Sequence, residues 1–265
     1  MHRSQDYILN GSAEAKKISK YLKSKFTGQK ITLAVILVGS DPASKIYINI
    51  KEKKAQEFSV NFKKFLLPAT ISENKLLLLI NKLNLDKNIT GIILQLPLPV
   101  KFNQTKIIST ISPAKDVDGF VNSKILNPTI QSILHLIKIS KQNLSHKKAI
   151  ILANGKDFSH ELQTEFIKQK IKTDIIIKPK SNIDLTKYNL IVSALGKKNF
   201  IKPNIIKKNT IIIDVGISRP KNSKKIFGDV HPDCFQKSPY ISPVPGGVGP
   251  LTVVFLFKNL IKLKK

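Results

Sequence analysis

Seven strand-length apolar runs divide this chain and constrain its fold more than any other feature. They are ITLAVILVG (31–39), VNFKKFLLP (60–68), GIILQLPLP (91–99), KKAIILAN (147–154), TDIIIK (173–178), NLIVSAL (189–195) and TIIIDVGI (210–217). A strand with one wet face alternates apolar and polar side chains, whereas a strand covered on both faces reads as a continuous apolar run. The last four runs are of the continuous kind and are expected to be buried on both faces. Helix-like stretches separate the runs, as in βαβ units, where a crossover helix joins parallel neighbours. The fold class that follows is α/β with two parallel-sheet domains. Ligands in such folds bind outside the carboxyl ends of the strands, so the strand-end residues are the candidates for function.

Local signals place several helices. Asp41-Pro42 offers an N-cap followed by proline at the first helical position, which predicts a helix running to about Val60. Thr70-Ile-Ser-Glu73 has the spacing of a capping box ahead of LLLLINKLN. A further helical stretch is expected near 104–112, and GPLTVVFLFKNLIKLKK reads as a closing helix. There is no internal repeat. No apolar run approaches the roughly 20 residues of a membrane span, and MHRSQDYILNGSAEAKK has no apolar signal core. A single cysteine, Cys234, excludes an intramolecular disulfide and fits a reducing compartment. The expectation is a cytoplasmic protein with no membrane partner.

The charge is extreme: 45 Lys and Arg against 17 acidic residues, a formal +28. Such a balance raises the question of nucleic acid. Only Arg3 and Arg219 are arginines, however, and the guanidinium fork is what base readers and phosphate clamps favour. The lysines are spread along the chain without forming a block. Nucleic acid is therefore not the expected partner. A non-catalytic basic protein associated with nucleic acid is the competing class, and a steep loss of DNA binding with salt is its signature.

Four places carry chemistry. Tyr47 and Lys51 are four apart on the helix after Pro42, hence on one face, where a phenol and an amine can stack a flat ligand and move a proton. Gln95 is a polar amide near the end of an apolar strand and needs a partner, ligand or protein. Lys115-Asp116-Val117-Asp118-Gly119 sets two acids beside a glycine, either as ligand acceptors or as turn formers. Pro243-Val244-Pro245-Gly246-Gly247-Val248-Gly249-Pro250 packs three prolines and three glycines into eight residues ahead of a helix, a degree of backbone constraint that points to binding.

Taken with VGSDPASKIYINIKEKKAQEFSV (38–60), IIIDVGI (211–217) and GDV (228–230), these segments resemble the bifunctional methylenetetrahydrofolate dehydrogenase/cyclohydrolase family in content, order and spacing, over roughly residues 8 to 262. The resemblance implies a folate-binding catalytic domain over 1–123 and a Rossmann-like dinucleotide-binding domain over 124–239. A loop and helix over 240–265 return to complete the first domain. It implies NADP as cofactor, with NAD possible, tetrahydrofolate derivatives as substrates, and a homodimer; no metal is expected, on the spacing of the histidines and the single cysteine. Lys51 matches the proton-transfer lysine, Tyr47 the tyrosine that stacks on the pterin, Gln95 the partner of the lysine, and Asp118 the anchor of the pterin ring. Pro243, Gly246 and Gly247 match the loop against which folate packs. The cofactor side falls to Asn154, Gly155, Lys156 and Ile217.

That cofactor side departs from the family pattern. The Gly-Arg-Ser loop and Val-Gly-x-Pro appear as Ala153-Asn154-Gly155-Lys156-Asp157-Phe158-Ser159-His160-Glu161, without the arginine that grips the ribose phosphate. His-Ser-x-Thr appears as Pro179-Lys180-Ser181-Asn182. The Pro-Cys-Thr-Pro loop is missing near Asn127-Pro128-Thr129. The expectation is weak dinucleotide binding with reduced preference for NADP, Lys156 or Lys180 supplying a substitute charge. A cyclohydrolase with a weakened or lost dehydrogenase step is the alternative. His160 reads as a surface residue. His2, His135, His146 and His231 show no ligand spacing with Cys234.

Overall fold

The computed structural model describes residues 9–122, 124–180, 183–220 and 225–264; His2, Ser181 and Asn182 lie outside the described residues. The chain divides into two compact units, one formed by 16–131 with 252–265 and the other by 1–15 with 132–251. Among the described residues no helix is long and apolar enough to cross a membrane.

The first of these units holds a parallel sheet of β1 (Thr32–Val38), β2 (Asn61–Leu67) and β3 (Gly91–Leu94) in the order β2-β1-β3. Crossover helices α2 (Pro42–Glu57) and α3 (Glu73–Leu85) join the strands, as parallel pairing requires. Every residue of β1 and β3 is buried, whereas the edge strand β2 alternates exposed and half-buried positions. Two helices, α1 (Gly11–Phe26) and α7 (Val248–Leu263), give most of their length to this unit. The last residue of α1, the middle of α7 and the C-cap of α2 form an aromatic cluster: Phe26 stacks on Phe58 at 5.0 Å, and Phe257 meets Phe58 edge-on at 5.3 Å. The closing helix thus returns to the first sheet's unit, as the resemblance implied.

The N-cap expected at Asp41 is present: its carboxylate accepts the Ser44 amide at 2.7 Å, with Pro42 in the first turn. That helix ends at Glu57, short of Val60. The capping box at Thr70 needs correction. Ser72 is the N-cap of α3, accepting the Lys75 amide at 3.3 Å, so Glu73 opens the helix and does not reach back to a cap. Glu73 instead accepts at 2.6 Å from Lys106, a residue of the short helix α4 (Gln104–Ile108), which a 3-10 turn at Pro113–Lys115 follows.

The other unit holds β4 (Lys148–Ala153), β5 (Lys172–Ile177), β6 (Leu190–Ala194) and β7 (Ile211–Asp214), all parallel, in the order β5-β4-β6-β7. Helices α5 (Pro128–Ile139) and α6 (Lys156–Lys168) precede and follow β4. This is half of a doubly wound sheet. β5 and β6 lie on opposite sides of β4, so the order reverses there, and in folds of this kind the ligand crevice lies outside the carboxyl ends of the strands at such a point, here β4 and β6. Burial on both faces holds for β4, β6 and β7. It fails for β5, whose residues are exposed or half-buried, and edge position is not the reason, since β7 at the other edge is buried throughout; β5 carries Lys172, Thr173 and Asp174 in its first half.

Candidate active site

The carboxyl end of β3 sets the first group. Gln95 continues the strand by one residue, its amide donating to the Ile36 carbonyl of β1 at 2.8 Å. Its side-chain amide nitrogen donates to the Leu96 carbonyl at 2.9 Å, which fixes which way the amide faces. The carbonyl oxygen Oε1 is thereby aimed at α2, where the Lys51 ammonium donates to it at 2.9 Å. Lys51 is only 9 % exposed, and Tyr47, one turn earlier on the same face, is half-buried. The glutamine is therefore neither an idle core amide nor a free ligand acceptor. It is the orienting partner of a buried amine.

The three charged residues of 115–118 separate into distinct duties. Lys115 donates to the carbonyls of Leu83 and Asp86 at 2.7 and 2.6 Å and so closes the C-terminal end of α3. The Asp116 carboxylate, 1 % exposed, accepts the amides of Gly119, Val121 and Asn122 at 3.0, 2.6 and 3.0 Å. Asp116 is the turn former. Asp118 is left half-buried and within electrostatic reach of Lys51. The turn-former reading holds for Asp116.

Burial and charge work against each other here. Burial pulls the Lys51 ammonium below its ordinary value, and the Asp118 carboxylate opposes that pull. Burial raises Asp118 to about 6, opposed by Lys51 and assisted by Asp116. Taking either charge out of water is unfavourable, and each lessens the penalty on the other. The product is an amine readier than an ordinary lysine to give up a proton, held by Gln95 and facing a carboxyl group. Such a set is suited to general acid–base work.

In the other unit, Asn154 and Gly155 end β4 at the crevice. Asn154 uses its side-chain amide to donate to the Leu195 carbonyl at 2.8 Å, linking the ends of β4 and β6. Gly155 is the N-cap of α6, with no side-chain cap and open space where a Cβ would stand. The stretch 153–161 is therefore mostly helix, since α6 starts at Lys156; His160 is exposed on it. An uncapped helix N-terminus at a switch point fits a dinucleotide pyrophosphate, although Asp157 in the first turn works against it. Ile217, 44 % exposed, follows β7, and its carbonyl lies 3.1 Å from where a Gly196 side chain would begin.

The loop 243–247 also has its backbone path fixed by neighbours. The Ser12 amide donates to the Gly246 carbonyl at 2.8 Å, and Gly246 adopts a φ of +112°. Beside it, a Cβ on Gly11 would stand 1.8 Å from the Gly247 carbonyl oxygen, so only glycine lets α1 approach this closely. Pro243 is half-buried and Gly247 buried.

Two family models cover nearly all of the chain. Residues 9–118 match the tetrahydrofolate dehydrogenase/cyclohydrolase catalytic domain, and residues 127–265 match its NAD(P)-binding domain. The chain belongs to the tetrahydrofolate dehydrogenase/cyclohydrolase family. A curated relative of Wolbachia pipientis from Culex pipiens, named Bifunctional protein FolD, is 38% identical, the match covering 96% of this chain and 94% of the relative. The FolD of Rickettsia bellii is 36% identical over 97% and 98%. Among solved structures, the bifunctional FolD of Campylobacter jejuni superposes with a TM-score of 0.89 at 34% identity, covering 97% of each chain. The Trypanosoma brucei enzyme, solved with NADP and an inhibitor, gives a TM-score of 0.88 at 26% identity over 96% of each.

One family feature escaped the sequence reading. The DVG and GDV segments bring together two buried acids, Asp214 and Asp229. A Cβ on Gly228 would stand 2.0 Å from the Asp214 carboxylate, and one on Gly216 would stand 2.1 Å from that of Asp229. Asp229 accepts from the Ser193 hydroxyl and from the amides of Leu195 and Lys197 at 2.7, 2.8 and 2.7 Å, shaping the turn that leaves β6 at the crevice. Burial and the charge of Asp229 push Asp214 up to about 7. The glycine beside each acid was the available signal: a small residue next to a strand-end acid leaves room for a second acid.

Proposed function

We propose that this protein interconverts one-carbon derivatives of tetrahydrofolate, oxidising methylenetetrahydrofolate to the methenyl cation and hydrolysing that cation to formyltetrahydrofolate. The observation that carries the proposal is the buried Lys51 held by Gln95 at 2.9 Å and facing Asp118. In the substrate one carbon bridges two nitrogens. A nitrogen lone pair assists departure of hydride from that carbon, and the bound nicotinamide supplies the hydride acceptor. The oxidation then needs alignment more than acid–base groups. Hydrolysis needs both. Water adds to the cationic carbon and loses a proton to the neutral Lys51 amine. The same ammonium then returns a proton to the leaving nitrogen as its bond to that carbon breaks, and the remaining hydroxyl proton passes to solvent as the formyl C=O forms, so that one proton is released overall. Tyr47 stacks on the pterin and Asp118 accepts its N–H groups. Pro243, Gly246 and Gly247 are assigned to folate on the family motif. Spectroscopic assay of both half-reactions on the purified protein tests the proposal, and absence of methenyl hydrolysis refutes it.

We assign folate to 1–123 completed by 240–265, and the dinucleotide to 124–239, with Asn154 as a strand-end brace and Gly155, Lys156 and Ile217 lining the cofactor. In doubly wound folds an acid at the end of the second strand takes the ribose 2′-hydroxyl of NAD. The second strand here is β5, and its end reads Ile177-Lys178-Pro179-Lys180, with both lysines exposed and no carboxylate. That favours NADP in spite of the missing arginine, with lysine as a point charge in place of the bidentate fork. The reduced NADP preference expected from the altered loop gives way on this reading. Calorimetry with NADP and NAD on one preparation decides: equal affinities refute it. A cytoplasmic homodimer completes the assignment. A molecular weight of one 29.6 kDa chain in sedimentation refutes the dimer.

A further inference from the structure

The Asp118 turn is braced from an element far away in sequence. Asn259 on α7 is fully buried. Its side-chain amide nitrogen donates to the Val117 carbonyl at 2.9 Å and to the Leu126 carbonyl at 3.0 Å. Its oxygen accepts from the Gln131 side chain at 2.8 Å, and Gln131 donates in turn to the Leu126 carbonyl at 2.7 Å. Both side-chain donors of Asn259 are used, one on each flank of the segment containing Asp118, and its oxygen accepts a bond that locks its orientation. Val117 is the neighbour of Asp118, so one of these bonds acts on the peptide leading into it. The next residue of the helix, Leu260, packs on the same segment. A Cβ on Gly91 would stand 2.4 Å from Val117 and 2.7 Å from Leu260. Asp116 holds the inside of the turn through three amides, and its backbone bridges to Ile92 of β3.

We infer that Asn259 is a positioning residue for folate binding: it fixes the 117–126 segment so that Asp118 meets the pterin and Lys51 in one orientation. Asn259 touches no substrate, and the inference rests on the assignment of Asp118 to folate made above. A buried amide spanning two carbonyls has no apolar substitute, because Val117 loses this donor and Leu126 keeps only that of Gln131. The site turn is thus governed from a helix that the candidate residues do not include.

The test is a double-mutant cycle on the full chain, with tetrahydrofolate affinity measured for the wild type, Asn259→Ala, Asp118→Ala and the double variant. Asn259→Ala is expected to weaken tetrahydrofolate binding about tenfold and to leave NADP affinity unchanged. Against the Asp118→Ala background the same substitution is expected to cost less than about twofold, because the group it positions is gone. Wild-type affinity in Asn259→Ala overturns the inference. So does a loss that recurs in full in the Asp118→Ala background, since Asn259 then acts through something else. Normal affinity in Asp118→Ala alone is the failure of the underlying assignment, read without reference to Asn259, and the inference falls with it. Asn259→Ser, which keeps one donor, is run in parallel. It is expected to fold if the alanine variant does not and to show a smaller loss with the same dependence on Asp118.

Discussion

Replacing Asp118 by Asn should stabilise the protein at neutral pH and leave it unaltered at low pH. Burial raises this carboxyl from 3.8 to about 6 in the folded chain. A raised acid favours the folded state below its ordinary value, where both states are protonated. That advantage is lost as pH rises through the folded value, because the unfolded chain ionises first. The shift of about two units corresponds to roughly 3 kcal/mol at 1.36 kcal/mol per unit. Residual exposure of Asp118 reduces this to about 2 kcal/mol. Asn does not titrate, so the difference between the two proteins isolates Asp118. Melting temperature should separate them by roughly 4–8 °C at pH 7.5, at about 2–4 °C per kcal/mol, and the gap should close by pH 4. A gap that is constant with pH, or that widens on acidification, refutes the claim that burial dominates at this carboxyl.

Lys51→Met should remove methenyl hydrolysis and leave the fold intact. Gln95→Ala should slow the same step by less, within the roughly 10²–10⁴-fold span of one acid–base group, because it removes the orienting partner and not the proton carrier. Gly228→Ala should destabilise the dinucleotide-binding unit in thermal melts, since its Cβ falls 2.0 Å from the Asp214 carboxylate; Gly155→Ala, which meets nothing within 4 Å, should melt as the wild type does. Cys234 is fully buried with its thiol pushed up to about 12. It should resist aromatic disulfide reagents in the native protein at pH 7 and react on unfolding, and native-state labelling at the denatured rate would contradict this.

The fold was legible because its main signal is local. Strand-length apolar runs marked the seven strands of the described residues, and the order of runs and helices implied parallel pairing. Burial of a strand's faces is not local: β5 was misjudged although it is the less apolar strand, KTDIII against KAIILA in β4, while β7, also an edge strand, is buried throughout. The cap of α3 was missed because two hydroxyl residues, Thr70 and Ser72, compete for the role, and the chain path decides between them. At the site, Tyr47 and Lys51 were recognisable from helical spacing. The hydrogen bond from Lys51 to Gln95 spans 44 residues and had only the family motif to announce it. The family motif singled out Asp118, but that Asp116 turns inward as the turn former was beyond reach, because two acids separated by a single residue give no hint of which does so. Asp229 and Asn259 were invisible for the same reason: their partners are backbone groups, which every residue carries alike.

The unit that holds Lys51 is assembled from two stretches, 16–131 and 252–265. During translation the ribosome must add about 120 residues after Gln131 before the second stretch begins, which takes roughly 6–24 s at about 5–20 residues per second. Throughout that interval Phe26 and Phe58 have no Phe257 to cover them, and the turn at 117–126 has no amide spanning its flanks. The intervening residues are those of the dinucleotide-binding sheet, whose local βαβ crossovers can form while the first unit waits. A nascent chain of this architecture therefore exposes an unfinished apolar surface for seconds. Its solubility in the cell depends on how chaperones treat that intermediate as well as on the stability of the finished enzyme.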